Sequence, residues 1–185
     1  QHSCSIPYAG DQITNDIALG LRIPIKDAEE IKKKFGSSIK VKNEHPKIIE
    51  VQNLGNKEKV QISVNDLSSI IIPRIEEIFD KVSYELKKSG FFNSLNSGIV
   101  ITGGSAKLFG LQEFVANHLS LSTRIGSPIY NNNLSDIVSN FRYSTVLGIL
   151  KKAYDNFLVK KETKSGTNFL NNFFQECKNW FYKNF

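Results

Sequence analysis

Two glycines and a serine directly follow a run of β-branched residues in IVITGGSAKLFGL, residues 99–111. The run predicts a buried strand, and the residues after the turn predict a helix. Glycine permits a positive φ and leaves the backbone bare, so a ligand can approach it closely. Gly103, Gly104 and Ser105 therefore form a candidate binding turn, although a plain strand-to-helix connection uses the same residue types.

An acid and a base lie three positions apart in DAEEIKKKFG, a segment with helical spacing. Glu29 and Lys32 share one helix face at that separation, where they offer an acceptor and donors for hydroxyl groups and a ring edge. Without further context, such residues are most often a surface ion pair worth at most about 1 kcal/mol.

Composition excludes several classes of site. Cys4 and Cys177 lie near opposite ends, and no Cys/His cluster has zinc-ligand spacing, so we expect no disulfide framework, no metal site and a cytosolic setting. The formal net charge of +6 comes from scattered lysines, which an AT-rich genome also produces. No apolar run is long enough to span a bilayer. Because the first residue is not Met, we expect the sequence to begin inside a larger protein.

Helical and strand patterns, punctuated by glycine, proline and polar tracts, divide the chain into consecutive parts. The first and third belong to one α/β unit in which a turn separates strand from helix. The second is a small α/β insert with hairpin signals, and the fourth is a polar linker. The last is an amphipathic helix. The five parts are residues 1–22, 23–97, 98–159, 160–167 and 168–185.

Local signals predict where some helices begin. Residues 5–8 are expected to end a strand before the first helix. Asp27 is expected to cap the second helix. A long helical pattern follows Asn65 and Asp66, with Pro73 near its first turns, where a missing N–H costs least.

The closing residues place bulky apolar side chains at steps of three and four, with polar residues on the opposite face. A linker separates them from the body, so such a stripe would favour aggregation unless it had a partner. A membrane interface fits this pattern, with mainly hydrophobic insertion. The alternative is an ordinary helix packed on the body. The membrane-facing residues are Phe169, Leu170, Phe173, Phe174, Trp180, Phe181 and Phe185.

Three segments in this order, AGDQITNDIALGL, AEEIKKKFG and IVITGGSAKLFGL, resemble the second half of actin-like ATPases, and most closely the FtsA family of bacterial division proteins. IIPRIEEIF, RIGSP and YSTVLGIL continue the resemblance, and the terminal stripe resembles the family's membrane-targeting helix. The resemblance implies an actin-like, ribonuclease H-like α/β half: subdomain 2A with subdomain 2B inserted at residues 23–97.

The resemblance also implies a function. The protein would anchor FtsZ filaments to the cytoplasmic face of the inner membrane as a peripheral adaptor, with ATP-dependent self-assembly into filaments. Gly103, Gly104 and Ser105 would contact the adenosine of ATP, and Glu29 and Lys32 its ribose and base. The family's phosphate loops and its water-positioning acid lie in the preceding half, so we expect no catalytic residue, no ATP hydrolysis and an incomplete Mg-ATP site in this chain.

Partner contacts follow from the same resemblance. The insert would receive the acidic and apolar FtsZ tail, with Arg74 as a salt-bridge partner beside Ile75 and Ile78, whereas an ordinary solvated Arg74 is the alternative. Lipid would bind the terminal helix. Nucleic acid is not expected, because the aromatic residues cluster on a lipid-type stripe rather than a basic face.

The sequence departs from the family pattern at three positions. Ala9 stands in place of the first glycine of a pair, and Phe109 and Phe141 each stand in place of a common proline. The rival interpretation is an actin-like or chaperone-type ATPase whose C-terminal helix packs on the body.

Overall fold

Helices and short strands alternate along the chain. In a computed structural model, residues 2–40, 47–54, 59–128 and 140–162 are described, with side chains through residue 157. They fall in two units, Gln1–Ser144 and Thr145–Phe185. The helices are α1 (Gly10–Leu21), α2 (Ile25–Phe35), α3 (Val64–Lys88), α4 (Leu111–Leu119) and α5 (Ser144–Glu162), and the strands are β1 (Ile48–Gln52), β2 (Lys59–Ser63), β3 (Ile99–Ile101) and β4 (Thr123–Ile125).

The described strands form two small sheets. β1 and β2 pair antiparallel, with Ile49 opposite Ile62, and the alternating burial of β1 places Ile49 and Val51 against the core. β3 and β4 pair in parallel, so α4 forms the crossover between them. The predicted hairpin and the predicted strand-to-helix order around the glycine turn are therefore confirmed.

Apolar faces of the helices of the first unit meet in one core. α1 packs against α2 and α3, and α3 also packs against α4 and β2. Helical spacing of isoleucine and leucine produces these faces, because side chains three and four positions apart lie on one side of a helix. The most deeply buried large side chains are Ile17, Ile23, Leu67, Ile71, Ile75 and Val115.

Two helix starts differ from the sequence prediction. α2 begins at Ile25 after Pro24, so Asp27 lies in the first turn rather than at the cap, where its charge still favours the helix dipole. α3 begins at Val64, because the Ser63 hydroxyl accepts from Asp66 N–H while the Asp66 carboxylate accepts from Ser63 N–H. Pro73 is consequently inside α3 and not in its first turns.

The side chain of Arg74 joins α3 to α1. Its Nε and Nη2 donate to the two carboxylate oxygens of Asp16 at 2.6 and 3.1 Å, and its Nη1 bonds Glu77. The next residue, Ile75, is 1% exposed and belongs to the core. Arg74 is therefore a partly buried cross-link between helices rather than an ordinary solvated residue, and Ile75 offers no surface to a partner in this conformation.

Several predictions fall at the limits of the described residues. No strand pairing involves residues 2–9 among those described, so the strand end predicted at residues 5–8 is not found. α5 extends through Glu162, so the first three residues of the predicted linker at 160–167 are helical. The remaining linker and the terminal helix, with all seven predicted membrane-facing residues, lie outside the described residues.

Among the described helices, none combines the length and the apolar character that crossing a membrane requires.

Candidate functional site

A cleft of about 440 Å³ opens between the start of α1, α2 and the turn that follows β3. Four of the five residues predicted to hold a nucleotide line it: Glu29, Lys32, Gly104 and Ser105. The fifth, Gly103, precedes this wall directly in the chain. The fold therefore brings together two motifs that are about 70 residues apart in the sequence, as the resemblance implied.

The ammonium group of Lys32 is held in the floor of the cleft. Its Nζ donates to the Gly10 carbonyl at 2.9 Å and to Thr14 Oγ1 at 2.7 Å, and pairs with Glu29 Oε2 at 2.5 Å. Only 8% of Lys32 is exposed, and an unpaired charge at such burial would be costly. Three oxygens match its three N–H donors, so the charge is fully satisfied by the protein.

The carboxylate of Glu29 is the most strongly perturbed acid of the cleft. Burial raises its pKa, but hydrogen bonds from Lys32, Thr14 and Lys33 and the charge of Lys32 outweigh burial and lower the pKa to about 2. Lys33 reaches the other carboxylate oxygen, Oε1, at 3.1 Å. Glu29 is therefore ionised at every physiological pH, and it can serve as a hydrogen-bond acceptor but not as a proton donor.

The glycine turn is shaped by one backbone conformation and one open space. Gly103 has φ +94°, which side chains other than glycine rarely adopt, and its N–H donates to the Phe141 carbonyl at 3.2 Å. A Cβ atom placed on Gly104 would have no protein atom within 4 Å. The described residues therefore leave the space above Gly104 open, as a closely approaching ligand needs.

Close contact at Gly10 positions the turn against α1. A Cβ atom on Gly10 would lie 2.7 Å from Ser105 Oγ and 3.4 Å from Lys32 Nζ. The bare backbone at this point lets α1, α2 and the glycine turn converge, which gives the cleft its three walls.

Two cations of the cleft were missed by the sequence analysis. Lys107 and Arg142 line the wall beyond Ser105, and among the described residues neither has a carboxylate within ion-pair distance. The Lys107 ammonium lies 5.5 Å from the centre of the Phe141 ring. Lys107 follows directly after Gly103-Gly104-Ser105-Ala106, and Arg142 directly precedes the segment YSTVLGIL, but spacing alone gives no sign that these segments share a wall.

Charge in the cleft is predominantly positive. Among the described lining residues, Asp11 and Glu29 provide two carboxylates against four cations, which are Lys32, Lys33, Lys107 and Arg142. Since Glu29 is occupied by Lys32 and Lys33, the remaining field comes mainly from the wall of Lys107 and Arg142. Such a lining favours an anionic ligand.

The departures from the family pattern are accommodated locally. Ala9 has φ −152°, a conformation that needs no glycine, and its N–H donates to Gln12 Oε1 at 2.7 Å. The Phe109 N–H donates to the Gly36 carbonyl, a bond that proline cannot make. The Phe141 carbonyl accepts the bond from Gly103 and so supports the glycine turn.

The residues predicted to bind the FtsZ tail do not line this cleft. Ile75 and Ile78 line a mainly apolar cavity of about 320 Å³, which shares Gly10, Gly104 and Ser105 with the cleft. Arg74 is engaged by Asp16 and Glu77, as described above. The tail contact stays a prediction, and it depends on the partly exposed Arg74 rather than on Ile75.

Potential metal ligands meet at one place among the described residues. Ligand atoms of His2, Cys4 and Glu85 lie within 4.8 Å of one another, although we expected no metal site. His2 and Cys4 are exposed, and none of the three lines the cleft. The cluster therefore adds no metal chemistry to the candidate site.

Comparison with known proteins decides the family. The model of the family "Cell division protein FtsA" matches residues 1–148. The chain belongs to the FtsA family. It is 37% identical over 150 residues to FtsA of Pseudomonas aeruginosa and 40% identical over 154 residues to FtsA of Neisseria meningitidis serogroup B, covering 81% and 83% of this chain. It spans 36% and 37% of the length of these two relatives.

The fold agrees with a solved actin-like structure. MreB5 of Spiroplasma citri bound to ADP superimposes with a TM-score of 0.65 at 22% identity, covering 87% of this chain and 48% of that one. The predicted actin-like α/β class is thereby confirmed, and membership of the FtsA family supports a role in cell division.

The pKa of Glu29 predicts how stability responds to acid. A lowered pKa contributes stability above the ordinary value of 4.5, and this contribution is lost as the pH falls from there towards 2. Glu29→Gln should lower the free energy of unfolding by about 1–3 kcal/mol at pH 7, and the deficit should narrow by pH 3. Urea denaturation at pH 7 and at pH 3 measures this difference in the free energy of unfolding between the variant and the unaltered chain.

Glu30→Gln is the matched control, since among the described residues the only ion pair of Glu30 is an exposed one with Lys34 at 3.7 Å. It should change the free energy of unfolding by less than about 0.5 kcal/mol at either pH. Equal effects of the two substitutions would contradict the assigned role of Glu29.

Proposed function

We propose that this chain is the nucleotide-, FtsZ- and lipid-binding portion of a cell division adaptor. Membership of the FtsA family carries the proposal. The adaptor holds FtsZ filaments at the cytoplasmic face of the inner membrane as a peripheral protein and assembles with copies of itself when ATP is bound. It works by binding rather than by catalysis.

In this proposal the cleft takes the adenosine end of an adenine nucleotide. Three features support it: the open space above Gly104, the ionised acceptor Glu29, and the cationic wall of Lys107 and Arg142. MreB5, which is similar in fold, was solved with ADP. Glu29 would accept bonds from ribose hydroxyls, and the cations would favour a nucleotide over an uncharged nucleoside. ATP, with Mg²⁺ held by other parts of the full-length protein, is the proposed physiological ligand.

A pair of glycine substitutions tests the nucleotide site. Gly104→Ala should leave the free energy of unfolding within about 0.5 kcal/mol, because a Cβ has room there, yet weaken ADP binding about tenfold by occupying the ligand's space. Gly103→Ala should lower the free energy of unfolding by about 1–3 kcal/mol, because its φ of +94° and ψ of 177° lie in a region that is essentially restricted to glycine. NMR titration with ADP and urea denaturation supply the two measurements, with adenosine as the uncharged comparison. Unchanged ADP affinity in Gly104→Ala would remove this turn from the site.

Lipid attachment is assigned to the terminal residues 168–185. Burial of their apolar stripe in the membrane interface would contribute several kcal/mol of insertion free energy, and each linker lysine could add roughly 1 kcal/mol near anionic lipid. One helix gives reversible attachment, so self-assembly would strengthen it through multivalency.

The lipid assignment is tested by placing one charge on either face of the terminal helix. Trp180→Glu should abolish co-sedimentation with liposomes that contain anionic lipid, because the charge enters the apolar stripe. Asn179→Glu adds the same charge to the polar face and should retain most binding. Equal binding of the two variants would count against the assignment.

Deleting residues 168–185 separates the adaptor from its rival. An adaptor loses liposome binding and keeps its thermal stability. If the helix packs on the body of an actin-like or chaperone-type ATPase, the same deletion lowers the stability.

Contact with the FtsZ tail is assigned to Arg74 on α3. Because its guanidinium already bonds Asp16, a charge reversal at Arg74 also breaks a helix–helix contact. Arg74→Glu should weaken the binding of an FtsZ-tail peptide about tenfold or more, as measured by fluorescence anisotropy. Asp16→Asn breaks the same ion pair but keeps the cation, and it should preserve affinity. If both variants bind the peptide as the unaltered chain does, Arg74 is not the dock.

A further inference from the structure

The hydroxyl of Thr14 occupies the centre of the charge network without lining the cleft. Thr14 is 3% exposed, on the inner face of α1, and is absent from the cleft wall. Its Oγ1 accepts from Lys32 Nζ at 2.7 Å and lies 2.5 Å from Glu29 Oε2 and 3.1 Å from the Gly10 carbonyl. Any influence of Thr14 on a ligand must therefore act through Glu29 and Lys32.

The Thr14 hydroxyl can donate one hydrogen bond, so only one of the two nearby oxygens can accept it. A threonine hydroxyl has one donor, and two acceptors lie within its reach. The carboxylate is both nearer and charged, and charge-assisted bonds are shorter and about twice as strong. The Thr14 hydroxyl therefore donates its hydrogen bond to Glu29, while an N–H of Lys32 donates a hydrogen bond to a lone pair of the Thr14 oxygen.

The hydrogen bond from Thr14 also joins the Glu29 carboxylate, on α2, to the neighbouring helix α1. The other partners of Glu29 among the described residues are Lys32 and Lys33, which lie on α2 with it. Lys33 is 56% exposed and could draw the carboxylate towards solvent. Lys32, in contrast, keeps a second anchor on α1 at the Gly10 carbonyl.

We propose that Thr14 is a positioning residue of the cleft, whose hydroxyl holds the Glu29 carboxylate and the Lys32 ammonium in the arrangement that receives the hydroxyls of a bound nucleotide. This inference rests on the proposed nucleotide site. Hydrogen bonding by Thr14 also contributes to the lowered pKa of Glu29, which gives a readout that needs no ligand.

Two substitutions separate the hydroxyl from the shape of the side chain. Thr14→Val keeps the shape and removes the hydroxyl, whereas Thr14→Ser keeps the hydroxyl. In Thr14→Val the pKa of Glu29 should rise by about one pH unit, and ADP should bind about tenfold more weakly. In Thr14→Ser the affinity for ADP should stay within about twofold of that of the unaltered chain. NMR measures both quantities on the whole chain: the Glu29 side-chain carbon is titrated from pH 7 downwards while the spectrum stays native, and ADP is titrated at pH 7.

Ser68→Ala is the matched control for loss of a buried helix hydroxyl. Ser68 is 0% exposed and donates to the Val64 carbonyl four residues before it, on α3 and outside the cleft. It should change neither the Glu29 pKa nor ADP affinity. Thr14→Ala gives the same comparison as valine if valine disturbs the native spectrum.

The outcomes distinguish this inference from the function on which it rests. If the unaltered chain does not bind ADP, the nucleotide proposal fails, and the Glu29 titration still decides whether Thr14 positions the carboxylate. If ADP binds and Thr14→Val changes neither quantity, the positioning role of Thr14 is wrong. A change in Thr14→Val that Thr14→Ser does not restore would also overturn it.

Discussion

The buried ammonium of Lys32 is the constraint on which the candidate site depends. A charge that is 8% exposed is stable only where oxygens replace its water, and three do: two on α1, from Gly10 and Thr14, and one on α2, from Glu29. Because the bonds are short and directional, one side chain fixes the separation of the two helices. The contact at Gly10 then brings the glycine turn against the same point. One charge thus sets the geometry of all three walls.

This arrangement also decides the electrostatics that a ligand meets. The negative charge of Glu29 is balanced by Lys32 and Lys33. Its ionised oxygens therefore act as acceptors, while the net charge around the cleft stays positive. Lys107 and Arg142 supply this positive charge from the wall beyond Ser105, which the bond from Gly103 N–H to the Phe141 carbonyl supports. A second partly buried pair, Arg74 with Asp16, joins α1 to α3 outside the cleft. α1 is therefore held on both sides by charge as well as by apolar packing.

Much of the fold could be predicted from periodicity. The isoleucine and leucine spacing predicted α1 and α3, and alternating runs predicted the hairpin, because burial of one face needs these repeats. Helix starts were less predictable. Ser63 and Asp66 cap α3 reciprocally, which displaces Pro73 into the helix interior, and Pro24 rather than Asp27 precedes α2. Side-chain capping and proline geometry compete at each boundary, so local composition alone does not settle the first residue.

The sequence by itself determined the α/β class, the glycine turn, and the acid and base on one helix face, since these follow from residue type and short-range spacing. Resemblance added the family and the pairing of turn with helix. Only the tertiary structure decided that Lys32 is buried and bonded to Thr14, that Ile75 belongs to the core, and that Lys107 and Arg142 share the cleft wall. Those facts depend on contacts between segments far apart in the chain. Such contacts are set by how whole helices pack, and no local pattern encodes them.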